Sequence, residues 1–179
     1  TAEPRITGED RSSGVVNYYL GRDPAQWRAG IPTYHRIRYE GVYPGVDLLF
    51  YGRQGQLEHD FLVAPGADPG ALRLRAQGAD AWRIDRAGDL ILEVAGSELR
   101  RLKPVIYQEV GGRRRAVDGG YLLRGGGQFG FRLAAYDPAR PLVIDPVLSY
   151  STTLGGSGDD YGQDVAVDDE LRYATGQRV

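Results

Sequence analysis

The sequence predicts an all-β protein, an antiparallel, sandwich-like domain through residue 148 and a differently textured segment from 149 to 179. Three observations carry that prediction. Its apolar residues come in runs of four to eight, many alternating with polar ones as a half-buried strand requires. The 26 glycines and 10 prolines are spread along all 179 residues and mostly sit between those runs, which marks turns joining strands. Helix signals are scarce, and a hydrophobic content of 41% is enough to build a core.

Taken in order, residues 1–13 are polar and aperiodic and are expected to fray. VVNYYL, from Val15 to Leu20, is the first predicted strand. Asp23-Pro24 then suits the cap and first position of a single helical turn ending near Trp27. TYHRIRY, Thr33 to Tyr39, alternates Tyr34, Arg36 and Arg38 with His35, Ile37 and Tyr39, and Tyr43-Pro44-Gly45 ends it as a turn. Next comes the stretch on which the domain is organised, a predicted hairpin whose apolar runs Val46 to Tyr51 and Leu57 to Val63 flank the glycine-bearing connection 52–56. A lone hairpin is marginal in water, so the remaining strands must cover it.

Downstream, residues 64–70 carry two prolines and read as a loop. Leu72 and Leu74 alternate with arginines; Trp82 and Ile84 form a short run that Leu90 to Val94 answers across the turn 85–89. Further strands are predicted at Glu98 to Leu102, Val105 to Val110, and Ala116 to Leu123 with a bulge at Gly119-Gly120. Gln128 to Tyr136 and Leu142 to Leu148 complete a set of about ten to twelve strands at the spacing of sandwiches and barrels. Beyond Ser149 the chain is rich in Gly, Ser, Thr and Asp, with very short strands expected at Val165 to Val167 and Tyr173 to Thr175.

Composition excludes several functions. There is no Cys, hence no disulfide, thiolate zinc site or cysteine nucleophile. Charges of both signs are intermixed and sum to -2, so no global field attracts nucleic acid. No run approaches the 18 or so apolar residues of a membrane-spanning helix. Almost every basic residue is Arg, Lys103 being the one Lys.

Candidate chemistry concentrates on the central hairpin. Glu58 and Asp60 share a strand face about 7 Å apart by strand rise, within the separation of roughly 5 to 9.5 Å that glycosidase carboxyls need. Charged sheet faces show the same spacing with arginine partners, so no catalytic residue is assigned. Tyr39, Tyr43 and Tyr51, with Glu58 and Asp60, are the candidate binding residues, within a wider aromatic set of Tyr18, Tyr19, Trp27 and Tyr34. The alternative for these tyrosines is core and cross-strand packing. Asp47 is expected to cap the Pro44-Gly45 turn and Asp145 to fix a strand exit. His35 and His59 read as ordinary strand residues, since no G-x-S-x-G elbow accompanies them. Arg113 to Arg115 read as a solvated hairpin tip. Asp159, Asp160 and Asp164 are a weak calcium candidate whose spacing fits no EF-hand, and a turn bonding its own backbone explains them as well. No cofactor is otherwise expected.

YSTTLGGSGDDYGQDVAVD, Tyr150 to Asp168, resembles the start of an SBBP-type β-propeller repeat, whose usual pattern is YSTYLGGSGDDYG followed by a valine-rich strand. Upstream, NYYLGRDPAQWRAGIPTY, YPGVDLLFYG, LEHDFLVAPGADP, KPVIYQE and PLVIDPVLSYST resemble the domain of unknown function that precedes such repeats in bacterial exported proteins. The resemblance covers most of residues 15–168. It implies a domain over 1–148 with an incomplete amino end, and a partial propeller repeat over 149–179 that is poorly packed because one blade cannot close. The implied role is a non-catalytic extracellular or cell-surface module that caps or presents the propeller, its partner being the downstream repeats of the same polypeptide. The rival expectation is a carbohydrate-binding or glycan-cleaving surface domain.

Overall fold

The protein is described by a computed structural model covering residues 4–146, apart from 54, 55 and 95, together with two short strands further on. Within that range the chain is all β, joined by turns and two single 3-10 turns. One layer is a seven-stranded antiparallel sheet. It comprises β1 (Arg5–Tyr18), β2 (Arg28–Tyr43), β3 (Val46–Arg53), β4 (Gln56–Val63), β9 (Val105–Val110), β10 (Arg113–Ala116) and β13 (Leu142–Asp145), in the order β1-β2-β3-β4-β13-β9-β10. A second sheet has β5 (Leu74–Arg75), β11 (Gly119–Arg124) and β12 (Gln128–Leu133) in the order β11-β12-β5, and a third has β6 (Ala81–Ile84), β7 (Leu90–Val94) and β8 (Ser97–Arg101) in sequence order. Further along, the two short runs expected as strands are β14 (Ala166–Val167) and β15 (Tyr173–Ala174), which pair with each other. The expectation about the packing of 155–179 otherwise falls outside the described residues.

The sandwich follows from period-2 alternation on the central hairpin. Register pairs Val46 with Val63, Leu48 with Phe61 and Phe50 with His59, which puts all six side chains on one face. β13 adds Leu142 and Ile144 to that face, and β9 adds Ile106. The two smaller sheets cover it with Leu74, Leu90, Leu92, Tyr121, Phe129 and Phe131 in one continuous core. Aromatic contacts lock the sheets together: Phe61 meets Phe131 edge-on at 5.7 Å between centroids, and Phe129 reaches Trp82 of the third sheet at 6.1 Å, while Phe131 packs on its cross-strand partner Tyr121 at 5.7 Å. Gln108, on the inner side of β9, is buried but satisfied. Its amide donates to the carbonyls of Asp137, Arg140 and Pro141 and accepts from Asp137 N–H, holding the loop before β13.

Three local expectations are corrected. Residues 5–11 form a strand, because β1 pairs with β2 from Arg5↔Glu40 to Tyr18↔Arg28 and so satisfies its polar backbone without an apolar period. The run 116–123 is two strands in different sheets rather than one bulged strand. β10 ends at Ala116, and Gly119 starts a regular ladder against Leu133. A Cβ at Gly119 would lie 2.7 Å from both Arg132 O and Ile106 Cδ1, so the crossing between layers requires glycine there. Arg113 to Arg115 lie in β10, an edge strand that leaves them exposed. The Asp23-capped turn is present as a 3-10 turn, Pro24–Gln26, with Ala25 N–H donating to Asp23 Oδ1 at 3.0 Å. A second such turn at Pro69–Ala71, capped by Asp68, takes up part of the alternation read around Leu72 and shortens β5 to two residues.

Phe61→Ala is expected to cost about 3 to 5 kcal/mol of unfolding free energy, since the ring is fully buried between layers. Exposed Leu122→Ala is expected to stay within about 0.5 kcal/mol. Urea denaturation of both variants checks this; equal losses would mean that the layers do not meet at Phe61.

Candidate functional site

The face of the central hairpin turned away from the core carries a carboxyl cluster. Register places Tyr51 opposite Glu58 and Leu49 opposite Asp60 on that outer face, and β13 brings Asp145 alongside. Tyr51 O–H donates to Asp60 Oδ1 at 3.0 Å. Asp60 is only 8% exposed, and burial together with the Asp145 charge pushes its carboxyl up to about 6, despite the opposing bond from Tyr51. Burial and the Glu58 charge likewise raise Asp145. Among the described residues, Glu58 Oε2 and Asp145 Oδ1 are buried without a hydrogen bond. Arg53 Nη1 approaches Glu58 at 3.9 Å, and Arg114 lies 4.2 Å over the Tyr107 ring on the β9 and β10 side, where its charge favours the ionised carboxylates. The same burial and anionic neighbours, burial first, raise the Tyr51 phenol, which therefore stays protonated and donating. The arrangement can hold a proton on Asp60 at mildly acidic pH beside a second carboxyl.

The predicted site residues divide between the two faces. Tyr51, Glu58 and Asp60 come together outside. Tyr39 and Tyr43 do not join them. Tyr39 packs edge-on against Phe50 at 5.6 Å beside the core. Tyr43 O–H donates to Arg73 O at 2.7 Å and accepts from Arg73 N–H at 3.2 Å, tying the hairpin to the 72–75 segment. Asp47 caps elsewhere than expected: it accepts from Gly41 N–H at 2.8 Å and pairs with Arg38 at 3.3 Å, serving the β2 irregularity rather than the Pro44-Gly45 turn. Asp145, expected only to end a strand, is the carboxyl that sequence reasoning missed. Its sole signal was its alternation with the inward Leu142 and Ile144, and the pairing of β13 beside β4 is not legible locally. Asp159, Asp160 and Asp164 lie outside the described residues. No group of three His, Asp or Glu among the described residues is placed to hold a metal ion.

His35 is exposed on β2. His59 instead sits among Phe50, Phe61 and the guanidinium of Arg101, whose Nη2 lies 3.3 Å from Nε2. Burial and that cation lower its pKa to about 3, so it stays neutral.

A second feature is the end of the β1–β2 hairpin. β3 pairs with β2 only from Arg36 to Tyr43, so among the described residues the stretch from Arg28 to His35 and its β1 partners have no third strand. Every residue from 13 to 30 is exposed. On this arm lie Val15, Val16, Tyr18, Tyr19, Leu20 and Trp27, with Tyr19 and Trp27 in an edge-to-face pair at 5.3 Å. Leu20 is 71% and Trp27 42% exposed, far from the pattern of the core strands.

A protein-family model described as "Domain of unknown function (DUF7948)" matches residues 1–147. The chain belongs to this family. No curated protein and no solved structure matches it. The matched span in this DUF7948 member contains the whole sandwich, the carboxyl cluster and the aromatic arm.

The cluster sets a pH signature for the DUF7948 domain. A carboxyl whose folded pKa rises from 3.8 to about 6 contributes its stability fully below the ordinary value and loses it as pH climbs through about 6. His59 acts in the opposite sense, its contribution falling as pH drops from 6.5 toward 3. The informative quantity is therefore the difference between wild type and Asp60→Asn, which retains an acceptor for Tyr51. The variant is expected to gain stability relative to wild type between pH 4 and about 7 in denaturant titrations. A difference that does not change with pH would remove Asp60 as the titrating group.

Proposed function

We propose that this domain is a non-catalytic interaction module of an exported or cell-surface polypeptide, presenting the repeats that follow it and contacting them through the β1–β2 arm. The arm is the observation that carries the reading. A two-stranded ribbon is marginal in water, and this one exposes six large apolar side chains on a stretch with no third strand among the described residues. Exposed Tyr and Trp in a cluster favour a protein or sugar contact. The resemblance of Tyr150 to Asp168 to a propeller repeat, starting just past the family match, supplies the partner. In the polypeptide carried through its repeats, Tyr19→Ser with Trp27→Ser is expected to lower the melting temperature of the repeats and speed their proteolysis, leaving the sandwich transition unchanged. Repeats that melt identically with and without the arm aromatics would refute it.

One observation favours a second reading, a glycan-cleaving surface. Glycoside hydrolysis needs one carboxyl kept protonated near neutrality beside an ionised one, and Asp60, pushed up to about 6 next to Glu58, has the proton affinity of such an acid. On that reading, reducing-end release from a polysaccharide panel falls at least about a hundredfold in both Glu58→Gln and Asp60→Asn. Release that persists in either variant, or no release by wild type, eliminates it.

A further inference from the structure

On the second layer, away from both the carboxyl cluster and the arm, a shallow cleft of about 300 Å³ opens between the β6–β7 turn, the segment after β8, and the β11–β12 pair. Arg86, Lys103 and Arg132 line it, with Asp85 the one carboxylate among its lining residues. Asp85 is already committed. Its Oδ1 accepts the N–H groups of Ala87 and Asp89 at 2.9 and 3.0 Å, and its Oδ2 pairs with Arg100 at 2.6 Å. Among the described residues Arg86 and Arg132 have no ion pair, while Lys103 Nζ reaches Asp118 at 3.1 Å.

Two glycines border the cleft. A Cβ on Gly120 would meet Arg132 Nη2 and Lys103 Cε, each at 3.9 Å, so both cationic side chains lean over the same bare backbone. Gly88, at φ +93°, lets the turn approach the Lys103 stem, where a Cβ would lie 3.1 Å from Cδ. The Lys103 backbone is fixed independently of its ammonium, because its N–H donates to Asp89 Oδ1 at 2.8 Å. The one internal competitor is weak: Asp118 is 72% exposed, and an exposed ion pair exchanges readily with solvent or with a better anion. Cations converging on a cleft with no free carboxylate form an anion site.

We propose that this cleft binds a small oxyanion, a phosphate group held between Lys103 and Arg132 with Arg86 at its rim. The group could reach it as inorganic phosphate or as a phosphomonoester on a sugar, and the two share the chemistry that these side chains recognise. The volume fits one such group with at most a single sugar, being at the lower end of ligand sites.

Lys103 is the only lysine of the chain, so the site reports on itself. Amine acetylation of the whole protein, read peptide by peptide by mass spectrometry, is run with inorganic phosphate, glucose 6-phosphate, or uncharged glucose, at constant ionic strength. The expected result is at least tenfold slower labelling of Lys103 with a phosphate-bearing ligand and no protection by glucose. Equal protection by the two phosphates makes the free ion sufficient; stronger protection by glucose 6-phosphate makes the sugar part of the ligand. Asp118→Asn removes the competitor and is expected to tighten phosphate binding several-fold, whereas Arg132→Gln weakens it at least tenfold. Labelling of Lys103 that phosphate does not slow in the wild type, or binding that Asp118→Asn leaves the same or weakens, overturns the site.

Discussion

The structure depends on covering one apolar sheet face. β3, β4, β9 and β13 turn Leu48, Phe61, Ile106 and Ile144 inward, and nothing on the seven-stranded sheet itself can remove them from water. Two small three-stranded sheets do so, and the Phe61–Phe131 edge contact is where the layers touch. Neither small sheet is large enough to bury a core by itself, so each is stable only as a lid. This explains the chain path: after β10 the backbone must leave the large sheet at once, and Gly119 permits the passage under Arg132 O that no side chain would.

Covering one face leaves the opposite face to do something else. Near the sheet centre that outer face is still buried enough to desolvate Asp60, yet it holds three carboxyls against the nearby cations Arg53 and Arg114. A packed domain could lower its free energy by replacing Asp60 or Asp145 with an apolar residue. Their presence makes this face the candidate site, and the Tyr51 hydroxyl, which cannot ionise there, fixes the geometry of Asp60.

Much of the fold was legible because it rests on period 2. The hairpin at 46–63, the Tyr43-Pro44-Gly45 turn, the pairing of β6 with β7 and the inward set Phe129 and Phe131 all follow from alternation bounded by turn residues. What was not legible depends on partners remote in sequence. β1 has no apolar period of its own and becomes a strand through β2, and Asp145 enters the cluster only because β13 inserts between β4 and β9. Tyr39 and Tyr51 look equivalent as sequence, but they occupy opposite faces, since β2 and β3 meet in the register Tyr39↔Leu48 and Arg36↔Tyr51. The tyrosines were legible as aromatics and not as a surface.

Register also explains why the arm stands apart. Continuing the β2–β3 pairing from Arg36↔Tyr51 to Thr33 and beyond would need β3 residues past Arg53, where the chain instead turns back into β4. The long strands β1 and β2 therefore outrun their neighbour by half their length, and the Val15–Trp27 end has backbone partners but no layer beneath it among the described residues. Its apolar side chains lie outside the core cluster. The edge-to-face Tyr19–Trp27 pair presents a rigid aromatic contact at low entropic cost, which is why the proposed contact with the repeats is placed on this ribbon. The arm and the carboxyl face are thus distinct features, an exposed aromatic ribbon in one case and buried charge in the other, and the strand lengths on either side of Arg36 separate them.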